Sequence, residues 1–408
     1  MSVTVFKNAR IIDGSSDEAL DPVDVVVEGQ YIREISQGEN LSDAQVIDVS
    51  GRYLMPGLID SHVHIVSVVA NLGVNATLPD SLVMARSMKI QREMLMRGFT
   101  TVRDVGGADL GQVRAYEEGL VDGPRPVICC KALSQTGGHC DFRGPFSSAP
   151  DVMAGRLGSL GYVCDGVSEV RRFARDQLKN GARFIKVMAN GGVASPTDPI
   201  HALGFSIEEL KAIVEEAENA GTYVSAHLYT DAAIRRAVEC GIHSLEHCNL
   251  IQPETARLAA ERGAIAVPTL IAYKKIVEIG EKVGMGATAI GKVDEVHRAG
   301  MASLDIMRNA GLEMAFGSDL LGEMQTFQSE EFSLLSAVLS NREIIRSATS
   351  VGARLCHMEG KIGTIAPGAY ADLIVVDKNP LTDISVLEKQ GQYLSLIMQE
   401  GKIKKNAL

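Results

Sequence analysis

The chain has 408 residues, 46% of them hydrophobic and 22% charged, a balance that builds a large core and excludes general disorder. Its formal net charge of −11 argues against a nucleic-acid partner. No apolar run is long enough to span a bilayer, so no membrane partner is expected either.

The first fifty-odd residues read as short strands separated by Gly, Asp and Ser signals: Val3-Thr4-Val5-Phe6, Ala9-Arg10-Ile11-Ile12, 24–28 and 31–35. The opening residues are too polar for a signal peptide, and the seven scattered cysteines show no Cys-x-x-Cys spacing. Both point to a reduced, cytoplasmic protein. The run Tyr53-Leu54-Met55-Pro56-Gly57-Leu58-Ile59 reads as one buried strand closing on Asp60-Ser61-His62-Val63-His64.

From there strands alternate with helices, which implies parallel pairing. Eight strands are expected near 57–64, 99–104, 126–133, 183–189, 223–227, 242–247, 264–269 and 313–319. Ser206-Ile207-Glu208-Glu209 is a capping box opening a helix that stops at Gly221. Asp231 is expected to cap the next helix, and Pro253 to begin another. Two connections look longer than a strand–helix turn requires, 134–166 and 270–293, and a third, 190–196, looks flexible. At the C-terminus 363–365, 371–377 and 393–398 are again strand-like. The two ends are therefore expected to form one small β module, 1–56 plus 360–408, around a barrel at 57–359. The fold class is α/β: a (β/α)8 TIM-like barrel with a small β-sandwich module formed by both termini.

The chemistry concentrates at strand ends. In a strand, residues two apart project to one side, so His62 and His64 present two imidazoles together, a chelate for a borderline-soft divalent metal. Alone, such a pair is equally well two hydrogen-bonded core histidines. Lys186, His227, His247 and Asp319 each lie in or end an apolar strand, and a parallel barrel gathers such ends at one face. Cys248, beside His247, should point the other way and serve packing. Lys186 has apolar neighbours, Phe184, Ile185, Val187 and Met188, where a free ammonium is expensive to bury. It either snorkels or pairs with an acid, or it is carboxylated by CO2, giving a carbamate able to bridge two cations.

The ordered set His62-x-His64, Lys186, His227, His247, Asp319 resembles the binuclear metal-dependent amidohydrolase superfamily. So do Pro56-Gly57-Leu58-Ile59-Asp60, Gly317-Ser318-Asp319 and the return 363–373. Thr136-Gly137-Gly138-His139 and His227-Leu228-Tyr229 are similar to the imidazolonepropionase-related group, which includes metal-dependent prolidases and Xaa-Arg/Lys dipeptidases. The resemblance implies that His62, His64 and Asp319 bind the more buried metal and that His227 and His247 bind the other. It implies that the Lys186 carbamate and a hydroxide bridge the two ions, expected as Zn, with Mn or Co compatible. Asp319 would move the proton, His139 would hydrogen-bond the oxyanion, and Tyr229 would hold the substrate's α-carboxylate. Arg143 and His201 sit on site loops without an assigned role.

The expected function is hydrolysis of the amide bond of small dipeptides or N-acyl amino acids with a free carboxylate, favouring Xaa-Pro and N-acyl-L-proline, by a homo-oligomer. An Xaa-Arg/Lys dipeptidase would need a carboxylate in its pocket. An imidazolonepropionase-like cyclic-amide hydrolase would not need the bridging lysine. A non-enzymatic scaffold should have lost ligands, and all six are present. The segment 270–293 offers Tyr273, Ile276, Val277 and Ile279 but also Glu278 and Glu281, and the sequence does not say which face inward.

Overall fold

The computed structural model describes residues 3–36, 44–195 and 197–408. Met1 and Ser2 of the polar N-terminal run, and Pro196 of the loop after the lysine strand, lie outside the described residues.

Among these residues, the two chain ends share one sheet. Val3–Ile11 pairs with Val23–Glu28 on one side and with Gln45–Asp48 and Tyr53–Pro56 on the other. Tyr53–Pro56 then pairs antiparallel with Leu373–Val376, which continues to Leu394–Gln399 and Lys402–Asn406. Phe6, Val25, Ile32, Leu54, Leu373 and Leu396 form its private core. The two strands expected at 3–12 are one strand with an irregularity between Phe6 and Ala9, where Asn8 has φ +59°. The expected strand 363–365 is irregular chain. Gly363 there has φ +66°, a left-handed conformation that a ladder residue does not adopt.

The run from Tyr53 is two strands rather than one. Tyr53–Pro56 belongs to the terminal sheet and Leu58–Val63 to the barrel. Gly57 is the joint: its N–H reaches the Asp372 carbonyl, and a Cβ there would lie 2.1 Å from Thr100 Oγ1. The absence of a side chain lets the chain cross between the layers.

The barrel runs Leu58–Val63, Phe99–Asp104, Arg125–Ile128, Ile185–Met188, Val224–Thr230, Ser244–Leu250, Ile265–Val267 and Glu313–Met314, all pairing in parallel. Two seams close it. The Arg183 N–H reaches Ile128 O at 2.8 Å, and the Ser61 N–H reaches Phe316 O at 2.7 Å. Helices pack outside, each held by apolar faces such as Leu210, Ile213 and Ala217 of Ile207–Asn219. The capping box at Ser206 and Glu209 forms as read, and Pro253 opens its helix. The cap of Asp231–Glu239 is Thr230, whose hydroxyl accepts from the Ala233 N–H; Asp231 instead accepts from the Gln252 N–H at 2.9 Å. Thr230 already ends a strand in extended geometry, which is what an N-cap requires.

The segment 270–293 is helical rather than a long loop: Leu270–Ile279, then the start of Ala287–Asn309. No helix among the described residues is long and apolar enough to cross a membrane. All seven cysteines are buried and unpaired.

Candidate metal centre and active site

The strand register brings the inward side chains together. Lys186 is opposite Ser225, Met188 opposite His227, and His227 opposite Glu246. At the C-terminal ends of these strands His62, His64 and Asp319 each offer a ligand atom within 4.8 Å of the others. Asp319 Oδ1 is 3.3 Å from both His62 Nε2 and His64 Nε2. The rings of His227 and His247 are 4.6 Å apart, and that of His247 is 5.0 Å from His62.

Each histidine is aimed by its other nitrogen. His62 Nδ1 donates to Glu246 at 2.7 Å and His64 Nδ1 donates to the Gly106 carbonyl at 2.9 Å, which turns both Nε2 atoms toward Asp319. His227 Nε2 donates to Gly191 O at 3.2 Å, which leaves the Nδ1 lone pair free. His247 Nδ1 bonds Thr269 Oγ1 at 2.8 Å. Burial pushes the imidazoles of His227 and His247 well below their ordinary range, with Asp319 opposing it at His247, and this favours the neutral form that a metal requires.

Three of these positions carry left-handed backbone on residues that rarely adopt it: His247 at φ +75°, Asp319 at +50° and Thr269 at +51°. The turn at His247 explains a feature that strict alternation hides. Glu246 and His247 both serve the centre, although adjacent strand residues should face opposite ways. Cys248 is buried, in line with a packing role.

Beneath the histidines lies a buried network that the sequence reading missed. Arg103 is fully buried over the Phe184 ring, 4.3 Å to its centroid. It donates to Ser61 O, Tyr223 Oη, Ser244 Oγ and Glu246 Oε1 at 2.7–3.1 Å. Ser225 and Ser244 also donate to Glu246, each at 2.6 Å. Burial pushes the Glu246 carboxyl up, but the Arg103 and Lys186 charges and the His62 bond hold it well below the carboxylate range. Asp60 accepts from the Ser318 hydroxyl at 2.6 Å and from Gln328 at 2.9 Å, tying the first barrel strand to the turn that bears Asp319. The available signals were Asp60, two residues before His62, and Glu246, immediately before His247.

Lys186 is 1% exposed and its Nζ has no hydrogen-bond partner. Burial pushes its ammonium below its ordinary range. An orphaned buried amine beside four histidines and an aspartate fits a metal-bridging anion made from it, because an unpaired ammonium there carries the full desolvation penalty.

The cavity above is lined by Leu72, Leu160, Val193, Ile276, Leu321 and Met324, together with His139, Tyr229 and Tyr273. The Tyr229 ring lies 4.6 Å from His227, and Asn190 Oδ1 accepts from the N–H groups of Tyr229 and Thr230 at 2.8 Å. His139 stacks on His227 at 4.3 Å. Of the 270–293 segment, Tyr273 and Ile276 face inward. Val277 is half exposed, and Glu278 pairs with Lys274 and Lys275. Arg143 is committed to Asp141 and the Ala149 carbonyl, and His201 pairs with Glu295 at the surface, so neither lines the cavity.

A parallel barrel with histidines, a lysine and an aspartate at the C-terminal ends of its strands defines a metal-dependent hydrolase architecture. The chain belongs to the amidohydrolase family, whose model matches residues 53–403, and it is a hydrolase acting on amide bonds. It is 32% identical to ochratoxinase of Aspergillus niger over 371 residues, 86% of this chain and 75% of that protein. A crystal structure of a prolidase complexed with N-methylphosphonate-L-proline is 47% identical, with a TM-score of 0.98, covering 99% of this chain and 100% of that one. A Xaa-Pro dipeptidase with methionine bound in its active site is 28% identical, with a TM-score of 0.88 and coverage of 99% and 100%.

Proposed function

We propose that this chain is a two-metal dipeptidase of prolidase type, cleaving Xaa-Pro dipeptides and N-acyl-L-proline with a free α-carboxylate. The observation that carries the reading is the cavity wall. Apart from Asp319, held between His62 and His64, its lining among the described residues contains no carboxylate. An arginine or lysine side chain would be buried there without a counter-charge, which costs several kcal/mol. The compact apolar ring of proline meets Leu, Ile, Val and Met side chains instead. The similarity to a prolidase holding a proline phosphonate supports the same substrate class.

His62, His64 and Asp319 would hold one divalent ion, His227 and His247 the second, with carboxylated Lys186 between them. When bound, such ions supply Lewis acidity and an acidified water near neutral pH. The chain's own residues do the rest. Asp319 takes the proton of the attacking water and delivers it to the departing nitrogen. His139 hydrogen-bonds the developing oxyanion, and the Tyr229 hydroxyl binds the α-carboxylate. Glu246 and Gly106 keep the first pair of imidazoles in the ligand tautomer. The cavity's apolar lining excludes bulk water, which strengthens each of these bonds.

The test is hydrolysis of Ala-Pro, Ala-Leu, Ala-Arg and N-acetyl-L-proline by the metal-loaded enzyme. Ala-Pro and N-acetyl-L-proline should lead, with Ala-Arg at least about 100-fold lower in kcat/KM, the equivalent of about 2.7 kcal/mol. Preference for Ala-Arg would overturn the assignment.

A further inference from the structure

His139 stands on a loop, yet its ring is only 12% exposed and has a built support. Its Nδ1 is 2.8 Å from Ser195 Oγ and 3.5 Å from Asp198 Oδ2. Asp198 is 3% exposed. One of its oxygens accepts the Gly192 N–H at 2.9 Å and the other accepts the Ser195 hydroxyl. With its single proton given to the carboxylate, Ser195 Oγ can only accept from the ring. Nδ1 therefore carries hydrogen, and Nε2 is the nitrogen turned to substrate.

The same turn is fixed from outside. Lys292, on the helix Ala287–Asn309, donates to the carbonyls of Gly192, Ser195 and Asp198 at 3.0, 2.9 and 2.7 Å. The His139 ring also lies flat on Gly192, where a Cβ would come within 1.8–2.4 Å of three ring atoms. Burial pushes the Asp198 carboxyl up, but bonds from His139 and Ser195 and the nearby His139 and Lys292 charges hold it low.

We propose that Asp198, acting through Ser195 and braced by Lys292, is the positioning residue that sets the orientation of His139 for amide hydrolysis. The inference rests on the role given to His139 above. None of these three residues touches the metal ligands; they act on a ring that does. Neutralising the acid behind a catalytic histidine in a buried acid–histidine pair lowers turnover by about 10⁴-fold. Here the ring is also held by stacking on His227 and by Gly192, so a loss of about 100-fold is expected.

The experiment is a double-mutant cycle on the best substrate of the panel, with metal content and thermal unfolding recorded for each protein. Asp198→Asn and His139→Ala are made singly and together. Asp198→Asn should lower kcat about 100-fold with KM within about 3-fold, and it should add nothing in the His139→Ala background. Ser195→Ala, which leaves the carboxylate in place, should lose about 10-fold and be equally silent in that background; it carries the test if Asp198→Asn does not fold. Equal losses in both backgrounds would mark Asp198 as a purely structural residue and overturn the inference, while the role of His139 would stand. Wild-type turnover by His139→Ala would overturn both roles and leave the substrate assignment to the dipeptide panel.

Discussion

Glu246→Gln tests whether the buried network beneath the histidines supports the metal centre. The substitution keeps the volume and removes the charge. Glu246 is fully buried and receives four donors: His62 Nδ1, Arg103 Nη2, Ser225 Oγ and Ser244 Oγ. An amide supplies one acceptor oxygen in place of two, and its NH2 must face at least one of these donors. Arg103 keeps only neutral acceptors at Ser61, Tyr223 and Ser244. Removing one partner of a buried ion pair costs about 3–5 kcal/mol, and no discount for solvent applies to groups with zero exposure. Loss of the acceptor behind a ligating histidine lowers metal affinity about 10- to 100-fold. Urea unfolding should therefore show a lower midpoint, and dialysis against a weak chelator should strip metal sooner than from wild type. A midpoint shift worth under about 1 kcal/mol with wild-type metal retention would show that Glu246 does not support the metal centre.

Asp319→Asn should retain the fold but lose about 100-fold or more in kcat, because an amide cannot shuttle the proton; near-normal turnover with full metal content would remove it from that role. Tyr229→Phe deletes one charge-assisted bond of about 1.5–3 kcal/mol, a loss of about 10- to 150-fold in kcat/KM on N-acetyl-L-proline but not on its amide; equal losses on both would rule out carboxylate recognition. Glu331 is buried at the start of Leu270–Ile279, where burial raises its carboxyl to about 8 against the Ile271 and Leu270 N–H donors. A raised acid favours the folded state at low pH and loses that contribution as pH climbs from about 4.5 to about 8. The stability of Glu331→Gln relative to wild type should thus rise across that window in pH-dependent denaturation and level off above it; a flat difference would contradict the shift.

The strand pattern was readable because alternation with helices and the Gly-terminated helices repeat along the chain; six of the eight expected strands have their centres inside barrel strands, while those expected at 126–133 and 313–319 are shorter and end at Ile128 and Met314. The centre's candidate ligands were readable because parallel strands deliver their C-terminal ends to one face. What escaped the sequence has identifiable physical causes. Glu246 was hidden because period two breaks at His247, whose φ of +75° turns its ring back to the centre. Leu270–Ile279 reads as loop in the sequence because it lacks a capping side chain; Thr269 precedes it in left-handed geometry, and the buried Glu331, sixty residues away, meets its first N–H groups. Gly57 looked like an interior strand residue, since the apolar run passes through it while the pairing partner changes. Asp198 and Lys292 carry no spacing signal at all, because their meaning depends on a turn folding against a distant helix.

The proposed mechanism stands on a two-ion centre bridged by a carboxylated lysine. The direct measurement is a crystal structure of the metal-loaded enzyme, grown with bicarbonate, alongside metal stoichiometry of the same active preparation. The expected result is two ions per chain, about 3.5–4 Å apart, with density for a carbamate on Lys186 Nζ touching both. A fully active preparation with one ion per chain, or metal-loaded density ending at an unmodified Nζ, would contradict it.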